Sequence, residues 1–341
     1  MTDPAARPPT TPPWWRSPEV TARLRSPWLR TLGTVIGVVL LVLAIRAVLR
    51  NPQDLQNAWN ALRNAHPAAL IAIAVLPLCN LVCISGVFHT LTVESLPHNR
   101  TLPRADGTHP PRGTFLQTTT GMGAAWLLNF TPVRAGLFGR ILYHRVLHGI
   151  PVAHSVRATF EALAVGLVAV LLLAGVAFVA HGRSDAVAAG MLIAPCIAAT
   201  ALSVLLSAKS QTHATFLARA LAWRYADVLI WFVRYAVITS ALGLRASPVE
   251  LAAMTAVAQA SFVVPFVGNG LGVREWGIAT LAPLMTGLAA STNGDLKSLL
   301  LTADLINRVA DLPLLVPIAL ACVFQATRQI RAVGGTTPDR S

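Results

Sequence analysis

Long apolar blocks, separated by short arginine-bearing connections, run the length of this chain. A helix needs roughly 20 apolar residues to cross about 30 Å of hydrocarbon. Six blocks meet that length: 31–49, 67–91, 158–180, 186–207, 225–243 and 299–325. Two regions break the pattern. Residues 114–130 mix apolar positions with Gln117, four threonines and Asn129. Residues 251–290 hold two shorter apolar runs split by VVPFVGNGLGVREW. Proline and glycine clusters at membrane depth free backbone groups that lipid cannot satisfy, so such breaks survive only inside protein or beside a watery cavity. The pattern predicts an all-α polytopic membrane bundle, with about six full spans and two re-entrant or broken segments.

Composition agrees. Of 341 residues, 54% are apolar and 12% are charged, about half the charge of a soluble domain at ~25%. The net charge is +13, but the arginines stand between apolar runs instead of forming a basic helix. Anionic headgroups and the positive-inside bias explain them, and no nucleic-acid partner is expected. Cys79, Cys83, Cys196 and Cys322 all lie within apolar stretches, which makes them packing residues and not a disulfide framework or a zinc site.

Residues 1–30, rich in proline and arginine, read as a disordered cytoplasmic tail with Trp14, Trp15 and Arg16 at the lipid surface. The basic region is too long for a signal peptide. Residues 31–325 form the membrane domain, and 326–341 a short cytoplasmic tail. With both tails inside and both breaks returning to their side of entry, 18 basic residues fall on inner segments and 5 on outer loops. A full span at 114–130 would move Arg134, Arg140, Arg145 and Arg157 outside, so the re-entrant reading fits the charge bias better. The order span 67–91, break 114–130, span 158–180 is mirrored by span 225–243, break 251–290, span 299–325. Paired interrupted segments in two inverted halves point to a transporter's binding site.

Candidate chemistry clusters at the breaks. In the first, Pro132, Gly136 and Arg140 are spaced by four: the proline ends the dip, the glycine permits close backbone approach, and Arg140 offers a guanidinium fork to phosphate. In the second, Pro265, Gly268 and Gly272 precede Arg274 and Glu275, which open the apolar run 276–290. A helix starting there would form an anion site with Arg274. The Gly268/Gly270/Gly272 run lacks the strand–helix context of a dinucleotide site. Asp304, Arg308 and Asp311 share one helix face, Arg157 and Glu161 lie four apart, and Asp227 and Arg234 lie seven apart. Ionisable residues inside a membrane are costly and mark substrate or proton paths, although buried ion pairs that fix helix register are the competing explanation. His144 and His148 share a helix face without a third ligand, so solvation at the interface is expected and no metal. Gly33 and Gly37 suggest close packing of the first span.

Pro132, Gly136, Arg140, Glu161, the stretch Pro265–Glu275 with Leu271-Gly-Val-Arg-Glu275, and Arg308 together resemble the lysylphosphatidylglycerol synthase transmembrane family over roughly residues 30–325. The resemblance implies a helix bundle with re-entrant elements that moves lipids between leaflets. Ala162 follows Glu161 where that family usually has arginine. The 16 residues after position 325 leave no room for a soluble aminoacyl-transferase domain, so an enzyme is not expected.

The resulting expectation is a lipid flippase in a bacterial inner membrane, needing no cofactor or metal. Arg140, Arg274 and Arg308 would hold an anionic or lipid-linked headgroup, while Glu161, Glu275 and Asp304 would couple charge. The alternatives are an accessory subunit that recruits a lipid-modifying enzyme, and a polyprenyl-phosphate or lipid transferase.

Overall fold

The computed structural model describes residues 63–103, 109–129, 135–261 and 295–334, together with Gln56, Trp59, Asn60, Arg274, Gly277 and Ile278. The tail 1–30, the span 31–49 with Gly33 and Gly37, and Pro132, Pro265, Gly268, Gly272 and Glu275 lie outside them. The described residues are all-α, without strands. In chain order the helices are α1 (Pro67–His89), α2 (Phe115–Leu128), α3 (Ala135–His148), α4 (Val152–Ala180), α5 (Asp185–Lys209), α6 (His213–Ala241), α7 (Pro248–Ser261), α8 (Asp295–Val309) and α9 (Leu312–Gly334).

Four stretches are long and apolar enough to cross a membrane: Pro67–Glu94, Val152–Ala180, Asp185–Lys209 and Thr302–Val333. They cover the expected spans 67–91, 158–180 and 186–207, and overlap 299–325 from Thr302 onward. α1 begins with Pro67 in its first turn, where the missing N–H costs nothing, and His66 Nδ1 accepts from the Ala68 N–H at 3.2 Å. It ends in a π turn, Thr90–Glu94, closed by the Ser95 N–H on the Thr90 carbonyl at 3.1 Å. α5 carries Asp185 in its first turn and Lys209 in its last, matching the helix dipole at both ends.

The expected span 225–243 belongs to α6, whose 29 residues reach about 43 Å at 1.5 Å per residue. Arg219, Arg224, Asp227 and Arg234 make it too polar to face lipid alone. α6 avoids lipid by sitting at the centre, packed against α1, α4, α5, α7 and α8. Tyr225, Val228, Tyr235 and Ile238 are fully buried there.

The first irregular region forms α2, and the second begins within α7. α2, capped at both ends by Thr114 and Asn129, has 14 residues, about 21 Å, too short for a 30 Å core. α2 and α7, in corresponding places of the two halves, each open with a capping box. Thr114 and Gln117 exchange side-chain and backbone bonds, as do Ser247 and Glu250. A helix that starts among apolar neighbours needs such closure of its first N–H groups. Residues 131–157, expected as an inner loop, contain α3, which packs back along α2, and the start of α4. α3 turns into α4 through Gly149 (φ 62°), where a Cβ would sit 2.3 Å from the Leu102 carbonyl oxygen, so only glycine fits.

The last span is two helices, not one. Pro313, in the first turn of α9, has no N–H for the Val309 carbonyl, and the chain turns at Ala310–Asp311. α9 then runs to Gly334, past the expected limit of the membrane domain at 325.

Candidate functional site

The break between α8 and α9 creates polar chemistry in the bundle. The Asp311 N–H bonds to the Arg308 carbonyl at 3.1 Å instead of closing a regular turn on Asn307. The Asn307 carbonyl is thereby released, and Arg234 of α6 donates to it at 2.7 Å. The same guanidinium bonds Asp311 Oδ1 at 2.7 Å and Asn80 Oδ1 of α1 at 3.2 Å. Asn80 in turn donates to Asp227 Oδ1 at 2.8 Å, and Asp227 pairs with Arg224 one turn earlier on α6. Arg224 reaches across to Gln259 Oε1 of α7 at 2.8 Å. A continuous chain of charge-assisted bonds therefore joins α7, α6, α1 and the α8–α9 break.

Arg274 occupies a second pair beside it. Its Nε donates to Asp304 Oδ2 at 2.9 Å, and Tyr235 O–H donates to Asp304 Oδ1 at 2.6 Å. Asp304 is wholly inaccessible and Arg274 is 2% exposed. The Trp231 ring lies between the two arginines, 4.5 Å from the Arg234 guanidinium and 5.2 Å from that of Arg274. Its electron-rich faces offset part of the cost of two nearby cations. In this arrangement Arg224, Arg234 and Arg274 each have a carboxylate: Asp227, Asp311 and Asp304.

Arg140 is held differently. It is 6% exposed on α3, yet no carboxylate among the described residues pairs with it. Its guanidinium stacks 3.5 Å over Phe88 of α1, donates to Thr159 Oγ1 of α4 at 2.8 Å, and touches Met122 Sδ of α2 at 3.5 Å. Burying an ion costs several kcal/mol unless a counter-charge repays it. One stacked ring and one hydroxyl repay part of that, which leaves a cation with room for an anion in its charge balance. The backbone is brought close here by Gly136, whose Cβ, if present, would stand 1.9 Å from the Ala125 carbonyl oxygen of α2.

The expected headgroup residues therefore stand on separate helices. Arg140 rests on α1, α2 and α4, Arg274 on α6 and α8, and Arg308 is half-buried on α8. Glu161 lies near the start of α4, bonded to Arg157 at 2.6 Å and His213 at 3.3 Å, with Arg157 62% exposed. Asp227 and Arg234 are not each other's ion pair. The expectation of solvated His144 and His148 is overturned: they are 1% and 3% exposed, because α3 is packed under α2 and α9. Sequence reasoning also missed Glu94, which the π turn of α1 aims at Arg219 of α6 at 2.6 Å. Spacing of Arg224 and Asp227 by three within an otherwise apolar stretch was the available signal for that pair.

Sequence comparison matches residues 30–294 to the family described as the lysylphosphatidylglycerol synthase TM region. The chain belongs to that family. Membership makes it a membrane protein of lipid metabolism or transport. The matched stretch contains α1 to α7, Arg140, Glu161 and Arg274, and ends just before α8, so Asp304, Arg308 and Asp311 lie beyond it. No curated relative and no solved structure shows significant similarity to the chain.

Proposed function

We propose that this member of the lysylphosphatidylglycerol synthase TM family moves a phosphate-bearing lipid between the leaflets of a bacterial inner membrane, with both termini cytoplasmic and without catalysing a covalent reaction. The observation that carries the reading is Arg140, a buried guanidinium that pairs with no carboxylate among the described residues, set where α2 and α3 meet. A cation left unmatched inside a membrane bundle favours an anionic visitor. The acyl or isoprenoid tail stays in the bilayer, so only the headgroup needs a polar path.

Arg274 and Asp304 enter as a pair that neutralise each other between cycles, with the α8–α9 break as the element that shifts. Interrupted segments in two inverted halves, as the sequence pattern predicts, with ion pairs beside them, suit alternating exposure of one site to each leaflet. The test is leaflet exchange of headgroup-labelled phosphatidylglycerol in proteoliposomes. Exchange above that of protein-free vesicles, lost in Arg140→Gln, is expected. A folded wild-type protein that exchanges no labelled lipid overturns the reading.

A further inference from the structure

The α3–α4 hairpin holds more unused hydrogen-bonding capacity than Arg140 alone. Its two helices run antiparallel about the turn at Gly149. That register sets Arg140 against Thr159, at 2.8 Å. One turn towards the hairpin on each helix come His144 on α3 and Ser155 on α4. His144 is 1% exposed with both ring nitrogens unpartnered, and Ser155 is 4% exposed with its hydroxyl unpartnered. Native interiors leave few buried polar groups unsatisfied, and two at one register position call for a ligand.

The donor set states which ligand. The Thr159 hydroxyl spends its hydrogen on the Ser155 carbonyl at 2.9 Å and accepts from Arg140, so it holds the guanidinium in place. Phe88 covers the guanidinium's face and leaves the in-plane N–H edge, the part that pairs with phosphate oxygens. Ser155 offers an O–H and His144 an N–H. No carboxylate among the described residues pairs with His144 to hold a second positive charge. The inventory is one fixed cation and two neutral donors.

We infer that Arg140, His144 and Ser155 form a single anion site matched to a monoanionic phosphodiester, the linkage of a glycerophospholipid headgroup, and not to a phosphomonoester or diphosphate. A second negative charge on the ligand would be left unpaired in the bundle, which is costly. The lipid as source of that phosphodiester rests on the transport reading above, whereas the anion chemistry does not.

Binding to purified protein in neutral detergent tests this with three probes: dihexanoylphosphatidylglycerol, dimethyl phosphate and farnesyl phosphate. Dihexanoylphosphatidylglycerol is expected to bind, with affinity about 5- to 10-fold lower in Ser155→Ala and in His144→Phe, the loss that goes with one hydrogen bond each. Thr159→Asp supplies the missing carboxylate beside Arg140, so it abolishes binding while the thermal unfolding temperature holds or rises. A merely structural site would not separate those two readouts. Unchanged affinity in both Ser155→Ala and His144→Phe overturns the proposal, as does farnesyl phosphate binding tenfold tighter than the phosphodiester lipid. Dimethyl phosphate binding as tightly as the lipid, with the same dependence on Ser155, His144 and Thr159, keeps the site and removes the lipid as its ligand. Intact binding with no leaflet exchange keeps the site and overturns the transport reading alone.

Discussion

Replacing Asp304 by asparagine removes one charge from a pair that water does not reach. Asp304 is fully inaccessible, accepts from Arg274 Nε at 2.9 Å and from Tyr235 O–H at 2.6 Å, and asparagine keeps its shape and one acceptor oxygen. The loss is therefore chiefly that of the counter-charge of a cation 2% exposed. Breaking a buried pair in this way costs about 3–5 kcal/mol. The double replacement Arg274→Met/Asp304→Leu removes both charges and is expected to return most of that stability, less about 1–3 kcal/mol for the stranded Tyr235 hydroxyl, which Tyr235→Phe then recovers. The cysteines supply the assay. Cys83 is buried and Cys79, Cys196 and Cys322 are half-buried, so a thiol-reactive dye reports unfolding in detergent. The double-mutant cycle built from Arg274→Met, Asp304→Leu and their combination should give a coupling of several kcal/mol, because the partners touch. Additive single-variant losses, or a cost below about 1 kcal/mol for Asp304→Asn, would refute the claim that this pair neutralises itself in the resting bundle.

Three further outcomes follow from the same geometry. Gly136→Ala drives a methyl group to 1.9 Å from a backbone oxygen that cannot swing aside, so α2 and α3 must part, at a cost of about 3 kcal/mol; dye-monitored unfolding checks it, and an unchanged midpoint would show that the two helices do not meet there. Arg157→Ala removes an ion pair whose arginine is 62% exposed, and its cost should stay below about 1 kcal/mol in the same assay. Pro313→Ala restores an N–H that the Val309 carbonyl can accept; it is expected to slow leaflet exchange more than it changes stability, by favouring a straighter helix and drawing the Asn307 carbonyl away from Arg234.

Apolar run length revealed the architecture wherever one face of a helix meets lipid, because the hydrocarbon thickness dictates that length. α1, α4 and α5 follow that rule. α6 departs from it because neighbours, not lipid, surround it, and a helix so placed can carry Arg224, Asp227 and Arg234. The α8–α9 break was invisible to hydropathy, since Pro313 interrupts hydrogen bonding without changing polarity. Arg140 was legible by type and spacing. Its partners were not: Phe88, Met122 and Thr159 come from α1, α2 and α4, and their meeting depends on how those helices pack. Ion-pair identities were likewise hidden, because Asp304 and Asp311 choose arginines on other segments over Arg308, their neighbour on the helix.

The division between matched and unmatched cations gives the bundle a direction of preference. Arg224, Arg234 and Arg274 are each neutralised by an aspartate, so an incoming anion gains little there without first displacing a carboxylate at close range. Arg140 demands no such displacement. An anion reaching it adds attraction and hydrogen bonds where, among the described residues, a ring, a thioether and a hydroxyl stand. In the transport we propose, entry at Arg140 is therefore the favourable first step, and release requires something to take the anion's place. The aspartates of the second centre cannot do so without stranding their own arginines, which costs about as much as a buried pair is worth. Under that proposal a headgroup is passed onward only if partners exchange in concert, one ion pair opening as another closes. The non-helical joint between α8 and α9, where Arg234 grips both Asp311 and a released carbonyl, is the place where such an exchange needs the fewest hydrogen bonds to break.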